Sequence, residues 1–561
     1  MDNEWVVVRP PPQPVFTESI TDRVRRVGVD VDEIKNYYRV TVSPNRHNRL
    51  KEYLLDEQEQ LFKLDFDALD QQGKADFLLL RNYLKRSLNQ LKDEWKTITR
   101  IKDLFPFSPN IVKISEAREA GAAVSAEDTA KQLDAIAKLT KQSIKDVSEG
   151  KITTTKVDGY KASKLVKELS GVVDEIASFY ATYDPQFDWW AKAPLKEVRA
   201  AFAEYIPVIE QKLAGMKPDG KDEIIGEPIG REALMVELEA EMIAYTPEEL
   251  LDIANDIFRW CETQMKTAAN ELGFGDDWKK AREYVKEQHV APGEQPHFVK
   301  QLALEGAEFV KKHDLLTVPR IADQTYRMIM MSPERQKQAP FFLGGELIMV
   351  AYPTSDMSHD YKNMVMKGNN KHFAKATAFH ELIPGHRMQD YSVKRYNSHR
   401  LLFFSAFWME GWALYWEFLL WNRGDFFISP EDRIGTMFWR MHRCARIIFS
   451  LKFHLGEWTP QQCVDLLVDW VGHERSNAEA EVRRSFAGDY APLYQAGYML
   501  GALQIWQLRQ EVLMKDIMKE KEFHDTFLRN GVMPIELVRA VFEQRELTSD
   551  YKPNWKFYKG I

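Results

Sequence analysis

The sequence predicts an all-α protein with two helical lobes around a deep central cleft and a small β element near the functional site. Apolar residues recur at spacings of three and four along most of the chain, which is the period of an amphipathic helix. Only one short stretch has strand character. The length of 561 residues, with 44% hydrophobic and 29% charged residues, is typical of a large globular protein and excludes one small module.

Three parts are expected along the chain. Residues 1–19 contain Pro10-Pro11-Pro12 and Pro14, and proline-rich sequence of this kind predicts an extended N-terminal arm. Residues 20–320 are expected to form a helical lobe. Residues 321–561 carry the most unusual motifs, and we expect them to form a second, functional lobe of the same continuous fold.

The strand signal lies between Pro340 and Pro353. The stretch is rich in β-branched and aromatic residues, has internal glycines and is bounded by proline, which predicts a short β-hairpin or two edge strands. We expect the strand Phe341–Tyr352 to border the cleft, where its free edge is able to bind an extended peptide by strand addition.

The stretch from Leu401 to Trp421 is nearly continuous in Leu, Phe, Trp and Tyr, and is about long enough to span a bilayer. It also carries Glu410 and Glu417, which are seven residues apart and therefore on one face of a helix. Because carboxylates inside a bilayer are costly, the sequence favours a buried helix at the centre of a large protein over a membrane span.

Charge and cysteine content limit the partners and the location. The chain has 76 basic and 84 acidic residues, without the clustered basic excess of a nucleic-acid binder. Its three cysteines, Cys261, Cys444 and Cys463, cannot form a disulfide framework, and the start of the chain shows no secretory signal. We expect a cytoplasmic protein with a small-molecule or short-peptide substrate and with neither nucleic acid nor a membrane as partner; a homodimer is left open.

The run from His380 to His386 is His-Glu-Leu-Ile-Pro-Gly-His. Two histidines beside a glutamate are how zinc hydrolases combine imidazole ligands with a general base. Residues six apart are about 120° out of register on a straight helix, so both imidazoles cannot face one ion. Pro384 and Gly385 disrupt a helix, and we expect them to absorb the two extra residues as a bulge. The alternative is a helix end where the histidines cap and pack.

Glu410 strengthens the case for a metal. It follows His386 by 24 residues, in a helix so apolar that a buried carboxylate needs a partner. A carboxylate ligand on a following buried helix is the arrangement of the gluzincin metallopeptidases. Together the two elements predict a site for one zinc ion.

Three tracts of the sequence resemble the family named domain of unknown function 885. They are His380–Gln389 (HELIPGHRMQ), Glu410–Tyr415 (EGWALY) and Pro492–Gly501 (PLYQAGYMLG). The resemblance extends over nearly the whole chain. It implies a helical zinc-dependent hydrolase, distantly similar to thimet oligopeptidase, the Taq-type carboxypeptidase and angiotensin-converting enzyme.

The resemblance also implies roles for individual residues. His380, His386 and Glu410 are implied as the ligands of Zn²⁺, and Glu381 as the general base. Many family members have an aspartate in place of Ser450, and a glycine-glutamine pair in place of Leu493 and Tyr494. These departures leave the ligand set intact and concern the recognition of the substrate.

A hydrolase of this kind also stabilises an oxyanion, and in similar metallopeptidases a tyrosine donates to the developing charge. Tyr498 is the first candidate because it lies in the third tract, and Tyr494, one turn earlier, is the second. The alternative for each is a packed core tyrosine. Arg484 is predicted either to hold a substrate carboxylate by a two-pronged contact or to pair with Glu417.

Other signals are weaker. Arg440, Arg443 and Arg446 recur every three residues through an aromatic helix, which favours buried pairing with acidic residues over anion binding. The sequence has no G-x-S-x-G elbow and no cysteine in a motif with a histidine. Serine or thiol catalysis therefore has no support.

These features predict a metallohydrolase, specifically a zinc metallopeptidase that cleaves an amide or peptide bond in short peptides or peptide-like small molecules. Glu381 would take a proton from water, and Tyr498 would stabilise the tetrahedral oxyanion. Two alternatives stay open. The same metal site could serve a lyase or cyclisation step in small-molecule biosynthesis, or the chain could be a helical binding protein with a remnant of the site.

Overall fold

The computed structural model describes residues 18–217, 223–336, 344–488 and 490–560. These residues are predominantly helical with one two-stranded sheet, which confirms the predicted all-α class with a small β element. Most of the predicted N-terminal arm, residues 1–17, lies outside the described residues.

The chain divides into two compact units. The first comprises the described residues of Met1–Asp65 and Leu80–Ile225, and the second those of Phe66–Leu79 and Gly226–Ile561. The boundary therefore differs from the predicted division at residue 320. Apolar periodicity identifies the helices that follow residue 226, but it does not reveal which later helices they pack against.

The helices of the first unit begin where the sequence supplies a cap. Ser19, Ser43, Ser125 and Thr155 each accept a hydrogen bond from a backbone N–H three residues ahead, which satisfies an otherwise unpaired donor. The helices are α1 (Ile20–Tyr37), α2 (Pro44–Leu61), α3 (Gln71–Ile101, with residues in both units), α4 (Ser108–Glu119), α5 (Ala126–Ser148), α6 (Lys156–Ala181) and α7 (Pro185–Val208). Short 3-10 and π segments follow α3 and α7 at Lys102–Leu104 and Ile209–Leu213.

The second unit contains the remaining helices and the sheet. The helices are α8 (Gly230–Ala240), α9 (Pro247–Glu271), α10 (Trp278–Lys286), α11 (Gln295–Lys312), α12 (Arg320–Gln324), α13 (Pro333–Gln336), α14 (His359–Gly368), α15 (Lys371–Glu381), α16 (His386–Val393), α17 (Ala406–Arg423), α18 (Pro430–His454), α19 (Pro460–Leu466), α20 (Arg475–Phe486), α21 (Tyr494–Met514), α22 (Glu520–Asn530) and α23 (Ile535–Phe542). Short 3-10 and π segments occur at Ser398–Leu402 and Leu467–Val471.

The sheet consists of β1 (Arg327–Met330) and β2 (Leu347–Val350). The two strands are parallel, so the predicted hairpin is wrong in its connection, because parallel strands cannot be joined by a tight turn. Of the predicted strand Phe341–Tyr352, only Leu347–Val350 is strand; residues 341–343 lie outside the described residues.

Helix α17 confirms the prediction of a buried apolar helix. Trp412 and Trp416 are fully buried, and both Glu410 and Glu417 are buried with them. In the ranges that the structure describes, no helix combines the length and the apolar character needed to cross a bilayer. The two carboxylates of α17 therefore lie inside protein, where each must find a partner.

Helix α17 packs most extensively against α21, and two glycines allow the close approach. A Cβ atom at Gly411 would lie 2.6 Å from the carbonyl carbon of Gly501, and one at Gly501 would overlap the carbonyl oxygen of Phe407. No larger residue fits between these backbones. The consequence is that Glu410, next to Gly411, lies beside the first turns of α21.

Candidate metal centre

All seven predicted site residues line one cavity of about 470 Å³, and every residue that lines it belongs to the second unit. The cavity therefore lies within one unit. It contains the predicted ligands and base together with the tyrosines and the arginine: His380, Glu381, His386, Glu410, Arg484, Tyr494 and Tyr498.

The two histidines reach the cavity from different helices. Helix α15 ends at Glu381 and α16 begins at His386, so the expected bulge is instead a complete break between two helices. At Gly385 a Cβ atom would overlap the carbonyl oxygen of His380, so only glycine fits this approach. The carbonyl of Pro384 accepts a hydrogen bond of 2.9 Å from the indole N–H of Trp412. The break removes the 120° mismatch of a straight helix.

The three predicted ligands converge on one point. His386 Nε2 lies 3.2 Å and His380 Nε2 lies 3.7 Å from the same atom, Oε2 of Glu410. One ligand atom from each residue lies within 4.8 Å of the other two. Zinc binds imidazole nitrogen and carboxylate oxygen at about 2.0–2.2 Å, so this donor set fits one ion.

The Nδ1 atom of each imidazole, on the side away from Glu410, also has a hydrogen-bond partner. His380 Nδ1 lies 2.9 Å from Glu417 Oε1, and His386 Nδ1 lies 2.9 Å from Gln389 Oε1. An acceptor at Nδ1 keeps the proton there and leaves the Nε2 lone pair for a metal. Sequence reasoning gave neither residue this role, although Glu417 follows Glu410 by two helical turns and Gln389 follows His386 by three residues.

Electrostatics at the ligands favours a cation. Burial alone would raise the pKa of Glu410, but His386 and His380 hold it well below its ordinary value. Burial would likewise lower the pKa of His386, but the adjacent Glu410 raises it to about 9. The same negative field that holds a proton on His386 attracts a divalent cation to these atoms.

Glu381 occupies the position expected of a base. It is the last residue of α15, its side chain lines the cavity, and burial raises its pKa. No hydrogen bond joins its carboxylate to another residue in the described ranges. A Cβ atom at Gly344 would lie 2.6 Å from that of Glu381, so the glycine lets the segment before β2 lie directly against the base. Met349 of β2 also lines the cavity, as predicted for a strand at its border.

The two candidate tyrosines have different environments. The hydroxyl of Tyr494 donates to Glu410 Oε1 at 2.5 Å. The ring of Tyr498 lies parallel to that of His380, with 6.3 Å between the ring centres, and burial raises its pKa. Within the described part of the chain, no residue hydrogen-bonds its hydroxyl. Tyr498 is therefore the tyrosine whose hydroxyl is available to a ligand.

The arginines differ from their predicted pairing in one respect. Glu417 pairs with Arg443 at 3.3 Å, whereas Arg484 pairs with Glu481 at 3.0 Å, so the predicted alternative of Arg484 with Glu417 is wrong. Arg446 also pairs with Glu481, at 2.7 Å. Buried pairing is thus found for two of the three regularly spaced arginines. Arg440 instead lies over aromatic rings, 4.3 Å from the centre of the Phe418 ring.

A family model described as "Bacterial protein of unknown function (DUF885)" matches residues 25–541. This chain belongs to the DUF885 family. The match covers nearly all of the chain, including every residue of the candidate site. None of the curated proteins compared with this DUF885 chain matches it.

Two solved structures share the fold of this DUF885 protein. One, described provisionally as a lipoprotein of unknown function from Shewanella oneidensis, is 18% identical with a TM-score of 0.67, covering 93% of this chain and 99% of that one. The other, described provisionally as a lipoprotein from Colwellia psychrerythraea, is 17% identical with a TM-score of 0.62, covering 94% and 99%. At these identities the likeness shows the fold alone.

The prediction of a cytoplasmic protein is contradicted by these two structures, because both are described as lipoproteins. The prediction depended partly on the low cysteine content. All three cysteines are buried, and a buried thiol behaves as a small apolar side chain. Their presence as thiols therefore reflects packing and does not report the compartment.

Proposed function

We propose that this DUF885 protein is a zinc-dependent hydrolase that cleaves an amide bond in short peptides or peptide-like small molecules. The supporting observation is the convergence of two imidazole Nε2 atoms on Glu410 Oε2, with Glu381 lining the same cavity. The acceptors at both Nδ1 atoms add support, because fixed imidazoles of this kind surround metal ions in proteins.

A zinc ion held by His380, His386 and Glu410 would supply a Lewis acid that polarises a carbonyl and lowers the pKa of water. Glu381 accepts the proton from water and returns it to the leaving amine. Its burial makes it a stronger base than an exposed glutamate, since burial raises its pKa.

Two tyrosines complete the proposed machinery from one helix, α21. Tyr498 donates its hydroxyl proton in a hydrogen bond to the oxyanion that develops in the transition state. Tyr494 does not contact the substrate in this mechanism. It holds Glu410 Oε1, and thereby points Oε2 at the two imidazoles.

The volume of the cavity limits the substrate. A cavity of about 470 Å³ lies within the range of roughly 300–1,000 Å³ that is usual for small-molecule sites. A short peptide or a peptide-like molecule fits this volume, whereas a folded protein would have to present an extended terminus.

The test is digestion of a peptide library by the zinc-loaded protein in water enriched in ¹⁸O, followed by mass spectrometry. Hydrolysis places one heavy oxygen in the new carboxyl group. A lyase or cyclase would convert its substrate without incorporating solvent oxygen, and a binding protein would leave the library unchanged. Glu381→Gln should abolish the products, while Glu305→Gln, which changes a half-exposed glutamate outside the cavity, should not.

A further inference from the structure

We propose that Arg446 and Arg484, joined by Glu481, form a carboxylate-binding subsite on the wall of the cavity. The inference rests on the proposed function and specifies its substrate class: peptides with a free carboxylate near the bond to be cleaved. Tyr498, the proposed oxyanion donor, lies beside this subsite.

The subsite begins with one carboxylate shared by two guanidinium groups. Arg446 Nε lies 2.7 Å from Glu481 Oε1, and Arg484 Nε lies 3.0 Å from Glu481 Oε2. Arg446 and Glu481 are only 5% and 3% exposed. Two positive charges and one negative charge leave an excess of one positive charge at a buried position, where a missing counter-ion is costly.

The unused donors of both arginines are available to a ligand. Each arginine contacts Glu481 through Nε, and their terminal amino groups make no hydrogen bond to another residue in the described ranges. Both side chains line the cavity. A guanidinium group presents parallel N–H donors that match the two oxygens of a carboxylate, which makes a carboxylate the expected ligand.

Glu410 also attracts Arg446, but its carboxylate faces the two histidines. The other neighbouring groups do not cancel the excess charge. His442 Nε2 lies 3.8 Å from Glu481 Oε1, but burial and the nearby arginines hold the pKa of His442 well below its ordinary value, which disfavours a positive charge on the ring. The charge of Arg443 is already paired with Glu417. The guanidinium of Arg446 lies 4.3 Å from the centre of the Tyr498 ring, which restricts its orientation.

The position of the subsite defines where the substrate is cut. The Tyr498 ring lies close to both Arg446 and His380, since its centre lies 4.3 Å from the guanidinium and 6.3 Å from the imidazole centre. One extended residue covers about 3.5 Å. A carboxylate bound by Arg446 therefore belongs one or two residues beyond the bond at the metal, which favours release of one or two C-terminal residues.

Calorimetric titration of zinc-loaded Glu381→Gln tests this subsite without turnover. The probes are acetyl-Ala-Ala-Ala, the same peptide as its C-terminal amide, and acetyl-Ala-Ala-Glu-amide. We expect the free acid to bind about 10- to 100-fold more tightly than the amide, because charged hydrogen bonds are strong. Tight binding of the glutamate amide would also support a carboxylate subsite, and would assign the source to a side chain.

Two variants in the Glu381→Gln background locate the effect. Adding Arg484→Gln should remove most of the preference for the acid. Adding Arg475→Gln should leave the preference unchanged, because Arg475 lies at the start of the same helix, is half-exposed and pairs with Asp465 outside the cavity. If the Arg484→Gln variant does not fold, the comparison of the acid with the amide in Glu381→Gln alone still tests whether a carboxylate is bound.

Equal affinity for all three peptides would overturn the subsite. If the preference for the acid is unchanged after Arg484→Gln, the assignment of the subsite to Arg446 and Arg484 would be overturned. The proposed function is tested separately. If the protein prefers the acid but the unsubstituted protein cleaves no peptide, the subsite is supported and the proposed hydrolase activity is contradicted. If it cleaves peptides without this preference, the hydrolase activity is supported and the subsite is contradicted.

Discussion

Tyr494 and Glu410 are joined by a hydrogen bond of 2.5 Å between the tyrosine hydroxyl and Oε1 of the carboxylate. The other oxygen of Glu410 faces both imidazoles, so the tyrosine fixes the orientation of a proposed metal ligand. The close packing of α17 on α21 brings the two residues together. Tyr494 therefore holds one carboxylate of the candidate metal centre.

Tyr494→Phe should weaken zinc binding by roughly 10-fold or more, because partners of metal ligands typically contribute 10- to 100-fold to affinity. Competition with a chelator of known affinity measures this change. Tyr498→Phe, on the same helix face, is the matched control and should keep the affinity for zinc. Unchanged affinity after Tyr494→Phe would mean that the hydrogen bond does not orient Glu410.

Tyr498→Phe should lower kcat by roughly 100-fold and change KM little, as expected when a donor acts mainly in the transition state. The substitution keeps the ring that lies against His380, so the Tm should change little. Steady-state kinetics on the peptide identified from the library gives both constants. A large drop in Tm with unchanged kcat would instead assign Tyr498 to the packed core.

Gly501→Ala should lower the free energy of unfolding by about 1–3 kcal/mol, because the new methyl group would overlap the backbone of α17. Urea unfolding followed by circular dichroism measures the change. Gly171→Ala is the control: it lies within helix α6 with no atom near its added Cβ, and should be neutral or slightly stabilising. Equal effects at both glycines would contradict the close helix contact.

The stability of the protein should depend on the charge of Glu481. Burial alone would raise the pKa of Glu481, but Arg446 and Arg484 lower it to about 2. A lowered pKa stabilises the fold above the ordinary pKa of 4.5, and this contribution is lost as the pH falls towards 2. The advantage of the parent over Glu481→Gln in unfolding free energy should shrink by about 2 kcal/mol between pH 5 and pH 3. A constant difference would contradict the shared ion pair.

The convergence of His380, His386 and Glu410 could be predicted because ligand chemistry restricts both residue type and local spacing. His380 and His386 lie in one short motif, and Glu410 stands out as a carboxylate in an apolar helix. Glu381 and Tyr498 follow from the same tracts. The helical fold is equally local in origin, since it follows from apolar periodicity and capping residues.

The pairing of strands and of charged side chains that are far apart in the sequence could not be predicted. Strand β1 carries no strong strand signal, and its parallel pairing with β2 is set by tertiary packing. One predicted alternative placed Arg484 beside Glu417, but two different buried carboxylates, on α17 and α20, pair with three of the arginines that line the cavity. Several arginines and carboxylates can be paired in many ways, and only the helix packing selects one.

The most direct test of the account is the zinc content of the purified protein, measured by inductively coupled plasma mass spectrometry after dialysis against a trace of zinc. We expect close to one zinc per chain, lost in His380→Ala, His386→Ala and Glu410→Ala. We expect no loss in His297→Ala, since His297 is exposed and does not line the cavity. A protein without bound zinc, or a His386→Ala variant that binds zinc as tightly as the parent, would contradict the proposed centre.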